Sequence, residues 1–272
     1  MSTTVIEAGR RPNFGTELRR LLRHRDLLLL LAQKDLKAKY KGTALGFLWT
    51  LLNPLLMMTV YAVIFSVLVR FQVKNYPVFL LSGMLPWNAF TIALTTSSMT
   101  IVGNANLVRR ISFPREFLPV ATVLSSLVNL ALSLVILLAF ALIFRQPLGP
   151  PLVMIPLLMV LQVLLTAGVC MVLAALMVYF RDVENILAIL ITLMFFLTPI
   201  IYPIRAIHHA ALRRVLELNP MAWLVTSYQA VWHDNTWPDL SALSTLALVA
   251  IAALTGGWLV FRRLDGRLAE EV

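Results

Sequence analysis

The chain has 272 residues, 60% of them hydrophobic and only 13% charged, with a formal net charge of +10. A soluble domain carries about a quarter charged residues, so the composition excludes an ordinary water-soluble globule. The basic excess suggests nucleic acid at first sight, but its placement along the chain, taken up below, assigns it to a membrane instead.

Residues 1–15 are small and polar, with Gly9, Pro12 and Gly15, and read as a disordered N-terminus. Residues 16–45 follow as TELRRLLRHRDLLLLLAQKDLKAKYKG and its continuation. Leu29, Ala32, Leu36 and Tyr40 recur there at helical spacing, with Lys34, Lys37 and Lys41 on another face. That pattern predicts an amphipathic helix at a membrane interface. A basic anchor beside the first span is the plainer alternative.

Residues 46–272 read as one membrane domain. Six uncharged apolar stretches lie at about 46–69, 77–102, 117–144, 151–180, 185–203 and 241–261. Each is long enough to cross a bilayer as a helix. Every Lys, Arg, Asp and Glu lies outside them. Because unpaired backbone polar groups in hydrocarbon cost several kcal/mol, and no alternating barrel pattern is present, the expected fold is an all-α polytopic membrane protein with six transmembrane helices. The N-terminal segment does not read as a signal peptide, since a long basic segment precedes the first apolar run.

The connections differ. Those near residues 70–76 and 145–149 are short. Between the fifth and sixth stretches lie AIHHAALRRVLEL, then Asn219-Pro220, then MAWLVTSYQAVW. The last piece is apolar but too short to cross, which predicts a re-entrant or interfacial helical hairpin. Asn-Pro marks the turn between its arms.

Charge sets the orientation. With the N-terminus in the cytoplasm, 17 of the 23 Lys and Arg fall inside and 6 outside. The positive-inside rule therefore predicts both termini cytoplasmic. Basic residues beside anionic lipid gain about 1 kcal/mol each, which accounts for the excess without nucleic acid.

Several chemistries have no residues to carry them. The sequence contains no G-x-x-x-x-G-K-[ST] phosphate loop, no G-x-S-x-G and no H-E-x-x-H. His208 and His209 are sequence neighbours on different helix faces, a poor metal clamp, and Asp182 and Glu184 form a corner with Arg181 rather than an acid–base couple. Cys170 is the single cysteine, inside the fourth span, and reads as packing. Ion-coupled transporters usually place ionisable groups within the membrane, and none is available here. Catalytic, metal and cofactor-binding residues are expected to be absent from this chain. Uncharged polar and aromatic residues stud the spans instead. Trp49, Tyr61, Phe65, Trp87, Phe90, Phe195, Phe196 and Tyr202 read either as helix packing and interface anchors or as the lining of a path for ring-shaped cargo.

One segment breaks the apolar pattern in a particular way. NANLVRRISFPREFLPV, residues 104–120, puts Arg109, Arg110, Arg115 and Glu116 among Leu107, Val108, Ile111 and Phe113, with Pro114 and Pro119. This predicts a short amphipathic helix in an elbow between two spans, offering apolar knobs and charges to a soluble partner.

That elbow resembles the first cytoplasmic loop of membrane subunits of ABC exporters for lipid-linked polysaccharide or polyol-phosphate chains, of the O-antigen, capsule and teichoic acid type. KDLKAKYKGTALGFLWTLLNPLL, YFRDVENILAILITLMFFLTPIIYP and LNPM resemble the same family's entry into the first span, passage from fourth to fifth span, and external hairpin. Order and spacing match over nearly the whole chain after residue 25. Lys41 and Thr43 stand where the family commonly has Arg and Ser.

The resemblance implies a homodimer in the bacterial cytoplasmic membrane, working with two copies of a separate ATPase that holds ATP and Mg. It implies ATPase coupling by Asn106, Leu107, Arg109, Arg110, Phe113, Pro114 and Arg115. It further implies that Lys34, Lys37, Lys39 and Lys41 receive a lipid-linked diphosphate head group, and that sugars slide between aromatic side chains. A permease for another amphiphile, such as a small lipid or drug, is the alternative. A membrane-embedded glycan-processing enzyme would need clustered carboxylates or metal-ligand spacing at a membrane face.

Overall fold

The computed structural model describes residues 25–40, 73–110, 113–207 and 218–271, with scattered residues between 42 and 64 and between 209 and 216. The expected disordered N-terminus, most of the first expected span and most of AIHHAALRRVLEL lie outside the described residues. Those described form helices and turns, with no strand among them.

Helix α1 (Arg25–Tyr40) is followed by α2 (Tyr76–Ser98), one-turn α3 (Thr100–Gly103) and α4 (Ala105–Arg110). Then come α5 (Phe117–Ile143), α6 (Ile155–Tyr179, led in by a 3-10 turn at Pro150–Met154), α7 (Val183–Phe196), α8 (Pro220–Gln229) and α9 (Leu240–Glu271). Among the described residues, four helical segments are long and apolar enough to cross a membrane: Tyr76–Ser98, Phe117–Ile143, Pro150–Tyr179 and Leu240–Gly266.

The fifth expected span differs. Helix α7 has 14 residues and so reaches about 21 Å, short of the roughly 30 Å of hydrocarbon. Pro199 explains the stop, because the residue before a proline is pushed away from helical backbone. The next stretch has irregular backbone, and neighbouring side chains supply its hydrogen bonds. Asn219 Nδ2 donates to the Leu197 carbonyl (3.2 Å) and Thr198 Oγ1 (2.9 Å), Gln229 Nε2 to the Pro199 carbonyl (2.8 Å), and Tyr76 OH to the Ile201 carbonyl (2.9 Å). Irregular backbone beside apolar helices needs such partners, because an unpaired polar group there costs several kcal/mol.

Packing supplies the rest. Lipid tails are as apolar as leucine, so helices associate through close contact rather than the hydrophobic effect. The tightest seam joins α6 to α9. A Cβ on Gly168 would lie 2.2 Å from the Ala253 carbonyl oxygen, and one on Gly257 would lie 2.1 Å from the Gly168 carbonyl oxygen. Only glycine admits that approach. A buried polar relay ties three more elements together: Tyr228 OH on α8 donates to Gln162 Oε1 on α6 (3.2 Å), and Gln162 Nε2 donates to the Pro86 carbonyl inside α2 (2.9 Å).

The bundle has two distinct ends. At one, α1, α3, α4, the start of α5, the end of α6 and the end of α9 share a cluster built on Leu28, Leu31, Val108, Phe117, Met171 and Phe261. At the other, α8 is buried against α2, α6 and the start of α9 through Met221, Leu224, Val225 and Tyr228. Asn219 caps α8 by accepting from Met221 N (3.0 Å), with Pro220 at its first turn.

Candidate functional site

The elbow sits where the sequence places it, and its geometry comes from two breaks in the helix that enters it, at Met99 and at Asn104. Helix α2 ends at Met99, α3 adds one turn, and Asn104 turns the chain into α4, with Asn104 Nδ2 donating to the Thr100 carbonyl (2.7 Å). On α4, Val108 is buried in the apolar cluster, while Asn106 and Arg109 are exposed. Leu107 and Phe113 pack partly into the same cluster, and Pro114 is half-buried. The short helix is therefore rooted by one face and offers Asn106 and Arg109 on the other. The side chain of Arg110 lies outside the described residues.

Arg115 has a different environment. Its guanidinium turns inward, Nη1 donating to the Asp265 carbonyl (2.7 Å) and to Asp265 Oδ1 (3.1 Å). Its neighbour Glu116 is buried and lies 3.7 Å from Arg262 Nη2.

Helix α1 forms and docks on α5, with Leu28, Leu31 and Ala32 buried. Leu29, expected on the apolar face of an interface helix, is 54% exposed and lies off the seam that Leu28, Leu31 and Ala32 make against α5. Lys34 and Lys37 are exposed. Lys34 Nζ donates to Asn104 Oδ1 (2.7 Å), which links α1 to the residue that turns into the elbow. Asp35 Oδ2 accepts from Thr122 Oγ1 (3.2 Å). Burial raises the Asp35 carboxyl above its ordinary value, against the lowering by Thr122 and by the Lys34 charge. The Lys39 side chain and Lys41 lie outside the described residues.

Four of the aromatic candidates come together. Trp87 stands 5.9 Å from Phe90 and 6.0 Å from Phe195, and Phe195 stands 5.4 Å from Phe196, centroid to centroid. Trp87 is buried at 4% exposure and Phe196 is 61% exposed, so the row runs from the core to the surface of α7. Tyr202 OH donates to the Phe196 carbonyl (2.7 Å) at its outer edge. Trp49 stands 38% exposed elsewhere, and Tyr61 and Phe65 lie outside the described residues.

Sequence reasoning missed two functional-looking features. Gln229, an uncharged amide in a short apolar helix, is the main partner of the irregular backbone. The other is His233, which closes a clasp between loops. Its Nε2 meets the Lys74 carbonyl (2.7 Å), its Nδ1 meets Asp234 Oδ1 (2.8 Å), and its own carbonyl accepts from Gln146 Nε2. Gln146 Oε1 in turn accepts from Asn75 Nδ2 (2.7 Å). A lone amide or imidazole beside a helix end is the only signal such features leave. Among the described residues no group of three His, Cys, Asp or Glu gathers to hold a metal.

Known proteins resemble this chain over nearly its full length. Residues 26–232 match the family described as ABC-2 type transporter. A protein of Myxococcus xanthus named O-antigen export system permease protein RfbA is 37% identical over 256 residues, covering 94% of this chain and 98% of that protein. Two Klebsiella pneumoniae proteins of the same name are 32% and 30% identical, each covering 90% of this chain and 94% of its own length. With its apolar crossing helices and its elbow, the chain belongs to the ABC-2 type transporter family of membrane proteins, as a permease subunit and not an enzyme.

Proposed function

We propose that this chain is the transmembrane subunit of an ATP-driven exporter that moves a lipid-linked polysaccharide across the bacterial cytoplasmic membrane. One observation carries the reading: a short helix rooted by Val108 presents Asn106 and Arg109 outward, in a chain whose apolar stretches contain no ionisable group to couple an ion gradient. Energy then has to arrive from a soluble partner. Two copies of the chain work with two ATPase subunits that hold ATP and Mg. Both termini and the elbow face the cytoplasm, consistent with the clustering of α1, the elbow and the end of α9 at one end of the bundle.

Lys34 and Lys37, exposed on α1, and with them Lys39 and Lys41 in the sequence, are the residues we assign to a diphosphate head group, since ammonium groups bind phosphate oxygens as point charges. Phe90, Phe195, Phe196 and Tyr202, with Trp87 buried behind them, offer ring faces along which sugars slide without one being gripped. Relatives named for O-antigen export support a polysaccharide cargo over another amphiphile. When ATP closes the partner dimer, each elbow moves with it and the packed helices shift as rigid bodies.

The test is charge reversal. With Arg109→Glu and Arg110→Glu together, the chain should insert normally, the ATPase should no longer be recovered with it, and the cell's surface polysaccharide should fall. Unchanged ATPase recovery and unchanged export would contradict the coupling role.

A further inference from the structure

The elbow is fastened to the far end of the sequence. Arg115 and Asp265 are 150 residues apart, yet Arg115 Nη1 bonds both the carbonyl (2.7 Å) and the carboxylate (3.1 Å) of Asp265. One position later Glu116 pairs with Arg262 at 3.7 Å, and the Arg262 guanidinium lies 5.1 Å from the Trp258 ring. From α6, Tyr179 OH donates to the Leu264 carbonyl (2.9 Å). Phe117, the first residue of α5, and Phe261 are both fully buried in the apolar cluster beneath.

Helix α9 has 32 residues and so runs roughly 48 Å, well beyond the roughly 30 Å of hydrocarbon. Its extra turns are the ones that carry Arg262 and Asp265. Mid-length, its backbone is keyed into α6 at Gly168 and Gly257, which prevents slippage between the two. Its first turns pack against α8 at the opposite end.

We propose that Arg115 and Asp265 are positioning residues that form the joint between elbow and α9, and that α9, locked to α6, carries the elbow's displacement as a rod to α8. The inference rests on the reading of the elbow as the ATPase docking site and adds what happens after docking. Both contacts leave Nη1, so this one nitrogen is held between the backbone and the carboxylate of Asp265. Charged hydrogen bonds are roughly twice as strong as neutral ones, which suits a contact loaded on each cycle. The inward turn of Arg115 also separates its role from that of Arg109, which faces out.

The experiment uses the complete complex in a strain lacking the native permease. Three quantities are read: ATPase recovered with the chain, ATP hydrolysis by the complex, and the cell's own surface polysaccharide resolved on a gel. Asp265→Arg should leave recovery and hydrolysis in place and lower export per ATP by about tenfold, within the usual range of coupling energies. The double change Arg115→Asp with Asp265→Arg should restore export in part, because the swap regains the ion pair but not the bond to the carbonyl of residue 265. If Asp265→Arg does not reach the membrane, Asp265→Ala, which keeps the backbone acceptor, should give a smaller loss of the same kind. Unchanged export per ATP in the single variants overturns the proposal, as does an intact double variant that fails to recover. A fall in recovery and hydrolysis in step with export would mark a merely structural pair and overturn it too. Failure of the docking reading shows separately, as unchanged ATPase recovery in Arg109→Glu with Arg110→Glu.

Discussion

The two ends of the bundle are held by different chemistry. At the elbow end, charged side chains do the fastening: Arg115 to Asp265, Arg262 to Glu116, and Lys34 to Asn104, over an apolar cluster. At the other end, neutral amides and hydroxyls from Asn219, Gln229, Tyr76, Gln146 and Tyr228 grip backbone carbonyls or one another. The charged contacts fasten the elbow to α1 and α9, so that these parts move together when the elbow is displaced. Neutral bonds in a buried site resist opening, because a broken one leaves an orphan group. The difference suits an end that moves and an end that holds its shape.

The seam shared by both ends is the place to break the comparison hardest. Gly168→Leu has no room, since even a Cβ would strike the Ala253 backbone. We expect a loss of roughly 3 kcal/mol or more, read as a collapse of the thermal midpoint of the purified protein, with both ends affected together. Next comes the rigid end alone. Gln229→Ala strips the Pro199 carbonyl of its partner, at an expected cost of about 1–2 kcal/mol. Proteolysis should then open the 197–203 stretch while the elbow stays protected.

How far the sequence alone reached is plain from these same residues. The apolar stretches located α2, α5, α6 and α9, because hydropathy records what the bilayer demands. It could not record where a helix stops inside an apolar run, so the fifth stretch was read through Pro199, and α7 ends before it. Nor does leaving hydrocarbon end a helix: α9 continues past Phe261 through RRLDGRLAEE, whose Arg, Leu, Ala and Glu favour helix in water and carry it past Gly266. The elbow was legible because charges among apolar knobs have few structural explanations. The Arg115–Asp265 joint was not, since residues 150 apart leave no shared local pattern. Gln229 was passed over for the same reason: one amide among apolar neighbours does not say which carbonyl it serves.

The smallest expected effect sharpens the comparison at the rigid end, where one titratable group sits in the clasp. Burial pushes His233 down, but the Asp234 hydrogen bond, the Lys74 carbonyl and the Asp234 charge outweigh it and leave the imidazole above its ordinary value. A raised value means that folding favours the proton. The clasp's contribution is then complete below the ordinary imidazole range and fades as pH climbs past the raised value. The thermal midpoint should fall slightly over that rise, and His233→Gln should flatten the change.

The account depends most on the elbow's outer face being where the ATPase sits. Asn106→Cys gives one exposed thiol, since the native Cys170 is buried. In inside-out vesicles a maleimide should label this thiol rapidly when the chain is alone and slowly when the ATPase is bound. Labelling at the same rate in both, or labelling from outside intact cells by a reagent that cannot cross the membrane, would contradict it.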